Sequence, residues 1–148
     1  KVLASAPHPK QEAIDLGVSY VSLDELVSQA DIISLHMPLN DSTEGCIDAR
    51  RISMMKPGAL VVNMARGPVL DSAALALALK NGQIAAAAID VYEKEPPIYA
   101  AHPLLNAPNT ICTPHIAFAT EESMRDRCRI AFDNVSAFLA GEQINRVL

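Results

Sequence analysis

Five polar side chains stand near the ends of apolar segments of this sequence, and their types suit acid–base chemistry on a small ligand. They are His36, Arg66, Asp90, Glu95 and His115. A histidine beside a carboxylate can give or take a proton near neutral pH. An arginine can hold the carboxylate of a ligand through two parallel hydrogen bonds. Titratable side chains of this kind make the hypothesis of a functional site if they converge.

Taken singly, four of these side chains have simpler interpretations. Arg66 in A-R-G-P and Glu95 in E-K-E-P-P are typical solvated charges, His115 is typical of a loop, and His36 suits a strand end. Asp90 differs, because it follows an apolar run and a buried carboxylate costs free energy unless it is paired or hydrogen-bonded. The hypothesis of a site therefore depends on whether the fold brings them to one place.

The elements that would do so alternate along the whole chain. Apolar runs predict strands at 1–4, 20–22, 31–36, 59–64, 84–91 and 110–113. Helices are predicted at 10–16, 23–29, 49–55, 72–80 and 121–140, and a proline-rich loop at 93–109. Strands that are apolar on both faces and separated by helices indicate a parallel sheet covered on both sides, a doubly wound α/β fold. Because such sheets bind ligands at the carboxyl ends of their strands, we expect the five side chains to share one edge.

Helix starts are marked by residues that cap helices. Ser22 with Glu25 forms a capping box, and Asp48, Asp71 and Thr120 can each accept a hydrogen bond from the first turn of a helix. The helix after Thr120 carries an apolar stripe and ends at a glycine. We expect these four caps in the structure.

Composition excludes several classes of protein. The 148 residues carry a net charge of -5 with scattered basic residues, which argues against a nucleic-acid partner. No apolar run approaches the roughly 20 residues that a membrane span needs. Cys46, Cys112 and Cys128 have no metal-ligand spacing, so we expect no metal site and reduced thiols, as in a cytoplasmic protein.

Four segments around the candidate residues resemble the D-isomer specific 2-hydroxyacid dehydrogenases. They are S-L-H-M-P-L-N-D-S-T at 34–43, M-K-P-G-A-L-V-V-N-M-A-R-G-P-V-L-D at 55–71, A-A-I-D-V-Y-E-K-E-P at 87–96 and T-P-H-I-A at 113–117. The resemblance covers essentially the whole chain and implies a Rossmann-like fold. H-I-A-F-A-T at 115–120 is most similar to glyoxylate/hydroxypyruvate reductase-like or glycerate dehydrogenase-like members.

The resemblance implies an oxidoreductase that transfers a hydride between NAD(P)H and C2 of a small 2-keto or 2-hydroxy acid. Arg66 would then hold the substrate carboxylate and carbonyl. His115 would be the general acid in reduction and the base in oxidation, and Glu95 would stabilise its protonated form. An alternative of another class remains, because some relatives of this fold are nucleotide-sensing corepressors that recruit proteins.

The resemblance also implies a set of residues around NAD or NADP. Asp90 would hydrogen-bond the nicotinamide carboxamide, and Phe118 would lie near the nicotinamide or the substrate. The implied cofactor-binding residues are His36, Pro38, Thr43, Met64, Ala65, Arg66, Asp90, His115 and Ala117.

Two features depart from the family pattern. The six glycines form no G-x-G-x-x-G, the loop that holds the pyrophosphate in this family. We therefore expect residues 1–120 to be a partial dinucleotide-binding domain, incomplete at its N-terminus because it lacks the first strand and this loop. Residues 121–148 would be a C-terminal helix and tail that lead toward a substrate domain. Such a fragment is expected to be inactive alone.

The second departure concerns the choice of cofactor. Ala6 stands where the family usually has an acidic residue that binds the ribose hydroxyls, and Ser5, His8 and Lys10 are nearby donors. Loss of the carboxylate removes repulsion of a 2′-phosphate, so NADP is as plausible as a relaxed NAD site. The resemblance further implies a homodimer in the cytoplasm.

Overall fold

The computed structural model describes residues 1–146, which fall into two compact units, Lys1–His115 and the residues from Ile116 onward. The strands are β1 Val2–Ala4, β2 Val18–Tyr20, β3 Ile32–Leu35, β4 Ala59–Asn63, β5 Ile84–Ile89 and β6 Thr110–Cys112. The helices are α1 Gln11–Asp15, α2 Leu23–Gln29, α3 Ala49–Met54, α4 Ser72–Lys80 and α5 Glu121–Leu139. Two single turns of 3-10 helix lie at Gly67–Val69 and Pro103–Asn106.

Every strand pair in the described chain is parallel, which confirms the predicted α/β class. The larger sheet has the order β3-β4-β5-β6, and β1 pairs with β2 in a separate sheet. The helices between the strands provide the long crossover connections that parallel pairing requires. The fold is therefore Rossmann-like, with a long C-terminal helix.

One face of the four-stranded sheet forms the core of the first unit. Side chains such as Leu35, Val61 and Ile84 are buried on it, together with Val27 of α2 and Leu75 of α4. The helices α2, α3 and α4 pack against each other in series. This burial of aliphatic side chains is the main favourable term in the folding of the unit.

The opposite face of this sheet differs from the expectation that both faces are covered. Its side chains are apolar, yet Ile32, Leu60 and Ile111 are exposed in the described chain. Strand residues alternate between faces, and the helices that connect these strands cover only one of them. The prediction therefore holds for the buried face alone.

The strand predicted at 20–22 is wrong by two residues, because β2 begins at Val18. Gly17 has a φ of 89°, so it reverses the chain directly after α1 and lets β2 pair with β1 at once. Ser22 lies outside the strand and is the N-cap of α2, as the capping prediction requires, and its Oγ accepts from the Glu25 N–H at 3.2 Å. The caps at Asp48, Asp71 and Thr120 are confirmed.

The second unit consists mainly of α5, which carries Glu121 and Glu122 in its first turn. Ahead of the helix, a turn joins the Ala119 N–H to the Ile116 carbonyl, and the Arg127 guanidinium lies 4.6 Å from the Phe118 ring centre. Among the described residues, no helix has both the length and the apolar character needed to cross a membrane.

Candidate active site

The register of the four-stranded sheet brings the ends of its strands into one row. Leu35 pairs with Asn63, Asn63 with Ile89, and Ile89 with Cys112. The next residue along each strand therefore lies at the same carboxyl edge. These residues are His36, Met64, Asp90 and Thr113.

Asn63 organises the turn that presents Arg66. Its side chain is 1% exposed, its Nδ2 donates to the Arg66 carbonyl at 3.0 Å, and its Oδ1 accepts from the Ala65 N–H at 3.0 Å. The Asp90 N–H in turn donates to the Asn63 carbonyl. The Arg66 side chain is half-exposed and donates to the Ala65 carbonyl at 2.6 Å. Arg66 thus lies on a turn that one buried amide holds at the sheet edge.

Asp90 is a nearly buried carboxylate, 4% exposed, directly beyond β5. Its Oδ1 accepts from the Thr113 hydroxyl at 2.6 Å. This hydrogen bond joins the ends of β5 and β6 and offsets part of the cost of burying the charge. The position of Asp90 is therefore fixed relative to the segment that leads to His115.

Glu95 and His115 are in direct contact. Glu95 Oε1 lies 2.7 Å from His115 Nδ1, the Glu95 side chain is 20% exposed, and that of His115 is 42% exposed. Because Nδ1 faces a carboxylate, it carries a proton, and the ring can gain or lose its second proton at Nε2. Glu95 Oε2 is buried and has no hydrogen-bond partner among the described residues. The pair is a partly shielded imidazole–carboxylate couple.

The backbone of His115 is strained, with a φ of 56° in the left-handed region. A residue with a Cβ adopts this region at a cost in free energy, and such residues concentrate at functional sites. Here the unusual φ accompanies the contact between the ring and Glu95.

The loop after β3 is closed by its own hydrogen bonds. Thr43 Oγ1 donates to the Pro38 carbonyl at 2.6 Å and accepts from the Asn40 N–H at 2.9 Å. His36 Nε2 lies 2.8 Å from Ser34 Oγ, and its side chain is exposed. His36 and Pro38 thus lie on an ordered, exposed loop at the same edge as Asp90.

The remaining predicted cofactor residues fall in different places. Met64 is 45% exposed and Ala65 is buried, both in the turn that Asn63 holds. Ala117 belongs to the second unit, together with Phe118. Their roles at a cofactor site therefore stay predictions.

Sequence reasoning gave no role to four residues that support the site. They are Asn63, Tyr92, Glu93 and His102, and all but Glu93 are buried. Asn63 was recognisable as a polar residue ending an apolar strand. Nothing in the spacing indicates that Glu93 and His102, nine residues apart in a loop, form a pair.

A parallel α/β sheet with an imidazole–carboxylate pair and a buried carboxylate at its carboxyl edge is typical of a nucleotide-binding domain. Residues 1–117 match the model of the D-isomer specific 2-hydroxyacid dehydrogenase, NAD binding domain. This chain belongs to that family.

Proteins of similar sequence support the same family assignment. The chain is 42% identical to a hydroxypyruvate reductase of Blautia hydrogenotrophica over 147 residues, which are 99% of this chain and 45% of the relative. It is 40% identical to a glycerate dehydrogenase of Methylorubrum extorquens over 149 aligned positions, 99% of this chain and 45% of that one.

Solved structures of similar fold come from the same kind of enzyme. A D-lactate dehydrogenase of Treponema pallidum matches with a TM-score of 0.89 and 38% identity, over 98% of this chain and 47% of that chain. A D-lactate dehydrogenase of Lactobacillus jensenii with NAD+ matches with a TM-score of 0.88 and 35% identity, over 100% of this chain and 48% of that one. The chain thus spans about half the length of the relatives it matches.

Proposed function

We propose that these residues form the cofactor-binding and proton-transfer half of an NAD(P)-dependent 2-hydroxyacid dehydrogenase. The observation that carries the proposal is the 2.7 Å contact between Glu95 and His115 at the sheet edge that also bears Arg66 and Asp90. Hydroxypyruvate, glyoxylate and glycerate are the substrates named for similar proteins, so a small 2-keto or 2-hydroxy acid is the proposed substrate.

The chemistry follows from the three polar side chains. Bound NAD(P)H would supply the hydride that reaches C2 of the keto acid. Arg66 would hold the carboxylate of the substrate with its planar set of donors. Protonated His115 would give its Nε2 proton to the carbonyl oxygen, so that the product is the neutral alcohol. In oxidation, neutral His115 would take that proton back, and Glu95 would stabilise the imidazolium.

The donors and acceptors at the edge suit a dinucleotide. We propose that Asp90 accepts a hydrogen bond from the nicotinamide carboxamide. His36, Pro38, Thr43, Met64 and Ala65 lie on the neighbouring loops of the same edge. We propose that these loops line the cofactor.

We also propose that a further strand and glycine-rich loop complete the domain. Supporting this, β1–β2 and β3–β6 form separate sheets, and a cavity of about 650 Å³ lies between their edge strands, lined by residues such as Val2, Leu3, Ile32 and Ser34. The chain also spans about half of its relatives.

The proposed cofactor includes NADP as well as NAD. The loop after β1 carries no carboxylate between Ala4 and Glu12, while Ser5, His8 and Lys10 are exposed there. Without a carboxylate in this loop, a bound 2′-phosphate meets no repulsion from a negative charge there. Comparison of kcat/KM for NADH and NADPH in the full-length protein tests this, and a strong preference for NADH would contradict it.

A homodimer in the cytoplasm is proposed from the family resemblance. Light scattering of the full-length protein measures the assembly, and the mass of a single chain at micromolar concentration would contradict the dimer.

The test of the main proposal is turnover by the full-length protein. NADH and NADPH oxidation should be measured with glyoxylate, hydroxypyruvate and pyruvate, for the wild type and for His115→Asn. We expect turnover by the wild type and a fall in kcat of roughly 10²–10⁴-fold for the variant, because asparagine keeps a donor to Glu95 but has no proton to transfer.

Fluorescence titration with NADH provides the control. His115→Asn removes one of the proposed contacts to the cofactor but leaves the loops proposed to line it, so the variant should still bind NADH. Absence of turnover with any of the three acids, in a folded protein that binds NADH, would favour a corepressor-like role instead. Unchanged kcat in His115→Asn would contradict the assignment of the proton donor.

A further inference from the structure

A second imidazole–carboxylate pair lies close in sequence to Glu95. His102 Nε2 is 2.7 Å from Glu93 Oε2, and the His102 side chain is 11% exposed. His102 Nδ1 accepts from the Leu104 N–H at 3.3 Å, which caps the 3-10 turn Pro103–Asn106. Because Nδ1 accepts a hydrogen bond, the ring proton resides on Nε2 and is donated to Glu93. His102 therefore has two different hydrogen bonds at its two nitrogens.

Glu93 is held as a carboxylate. Partial burial alone would raise the pKa of Glu93, but hydrogen bonds from Ser72 and His102 outweigh it, so the net pKa is lowered. Ser72 is the first residue of α4, and His102 precedes the 3-10 turn. Glu93 is thus bound from two separate elements, two residues before Glu95.

Tyr92 connects this pair to the segment of His115. The Tyr92 hydroxyl donates to the Thr113 carbonyl at 3.2 Å, and its ring stands edge-on to the His102 ring at 5.1 Å. Burial is the main cause that raises the pKa of Tyr92, so the phenol remains a donor. Thr113 is two residues before His115. The backbone segments that lead to Glu95 and to His115 therefore share a buried contact.

Gly67, the residue after Arg66, packs against the backbone of the loop that carries Tyr92 and Glu93. A Cβ at Gly67 would lie 2.0 Å from the Tyr92 carbonyl carbon and 2.3 Å from the Glu93 nitrogen. The backbone next to Arg66 therefore packs directly on the Tyr92–Glu93 peptide. Displacement of that peptide would disturb the segments of all three proposed site residues.

We propose that His102 is a positioning residue, which through its hydrogen bond to Glu93 fixes the loop that holds Glu95 against His115. The inference rests on the proposed function, because the pair it positions is the proposed proton donor. The bond from His102 Nε2 to Glu93 performs this role, whereas the bond at Nδ1 only caps the 3-10 turn.

Two substitutions separate the two bonds. In His102→Gln the amide nitrogen reaches the place of Nε2 and still donates to Glu93, but the cap is lost. In His102→Asn the side-chain oxygen takes the place of Nδ1 and keeps the cap, but the donor to Glu93 is lost. Asn106→Ala is a further control, because it removes only the 3.5 Å contact of the same turn with the His102 carbonyl.

In the full-length protein we expect His102→Asn to lower kcat for keto-acid reduction by roughly 10-fold to 100-fold, the scale of a small misplacement of a catalytic group. The KM for the keto acid should stay close to that of the wild type. The alkaline limb of the kcat/KM profile should move to lower pH, because Glu95 then stabilises protonated His115 less. His102→Gln and Asn106→Ala should keep the wild-type pH profile, even where they lower the Tm.

Equal loss of kcat in His102→Gln and His102→Asn would overturn the proposal, as would a His102→Asn protein that loses only thermal stability. A readout independent of turnover is the NMR titration of the His115 ring in the full-length chain. An altered His115 titration in His102→Asn, but not in His102→Gln, supports the positioning role even if the wild type reduces no keto acid. An unchanged titration in both contradicts it.

Discussion

At the scale of single residues, the contact between Glu95 and His115 has the geometry of a reversible proton donor. The carboxylate contacts Nδ1, so Nε2 is the nitrogen at which we propose that a proton is transferred. Asp90 is a second carboxylate of the same edge, yet it is bound by Thr113 and nearly buried. The two carboxylates therefore have different roles in these contacts: Glu95 contacts an imidazole, and Asp90 accepts from a hydroxyl.

Ala6 is the residue on which the choice of cofactor depends most directly. We expect Ala6→Asp in the full-length protein to lower kcat/KM for NADPH by roughly tenfold or more, which is about 1.4 kcal/mol of repulsion of the 2′-phosphate. The kcat/KM for NADH should be kept or raised. Steady-state kinetics with both cofactors measures this, and an equal effect on the two would contradict a 2′-phosphate near Ala6.

At the scale of elements, the sequence predicted the helix caps, because these depend on hydrogen bonds between residues that are close in the chain. The caps at Ser22, Asp48, Asp71 and Thr120 are correct because each bond joins residues three apart. The predicted position of β2 was wrong because Gly17, at positive φ, sets the start of this strand.

Contacts between distant segments could not be predicted from the sequence. The hydrogen bond of His102 with Glu93 and the packing of Gly67 on Tyr92 depend on how two loops meet beyond the sheet. Composition and periodicity do not indicate which loops contact each other. The motifs implied Glu95 and His115, but the residues that hold them became visible only in three dimensions.

Gly67 allows a prediction about these loops. Gly67→Ala should destabilise the protein by about 1–3 kcal/mol, since the added Cβ overlaps the Tyr92–Glu93 backbone and the loops must shift. It should also lower kcat in the full-length protein. Denaturant unfolding and steady-state kinetics measure the two effects.

The matched control is Gly17→Ala, where φ is positive but no heavy atom lies within 4 Å of the added Cβ. Gly17→Ala should lower the free energy of unfolding, because alanine is disfavoured at positive φ, and it should leave kcat unchanged. A Gly67→Ala protein as stable and active as the wild type would refute the close approach.

At the scale of the whole molecule, the described residues bring the proposed site side chains to one edge of a parallel sheet. The family, the parallel fold and the NAD-binding character are established by the match over residues 1–117. Similar proteins are named for several different acids, so we propose a class of substrate rather than one acid. The exposed apolar face with Ile32, Leu60 and Ile111 fits a domain that has further neighbours in the full-length protein.

The central claim, that Glu95 stabilises His115 as the proton donor, is tested most directly by the pH dependence of keto-acid reduction. In the full-length protein, kcat/KM should be measured against pH for the wild type, Glu95→Gln and the control Glu12→Gln on α1. Loss of the Glu95 charge makes protonated His115 less stable, so the alkaline limb should move to lower pH only in Glu95→Gln, with a lower kcat. An alkaline limb that is unchanged in Glu95→Gln would contradict the account.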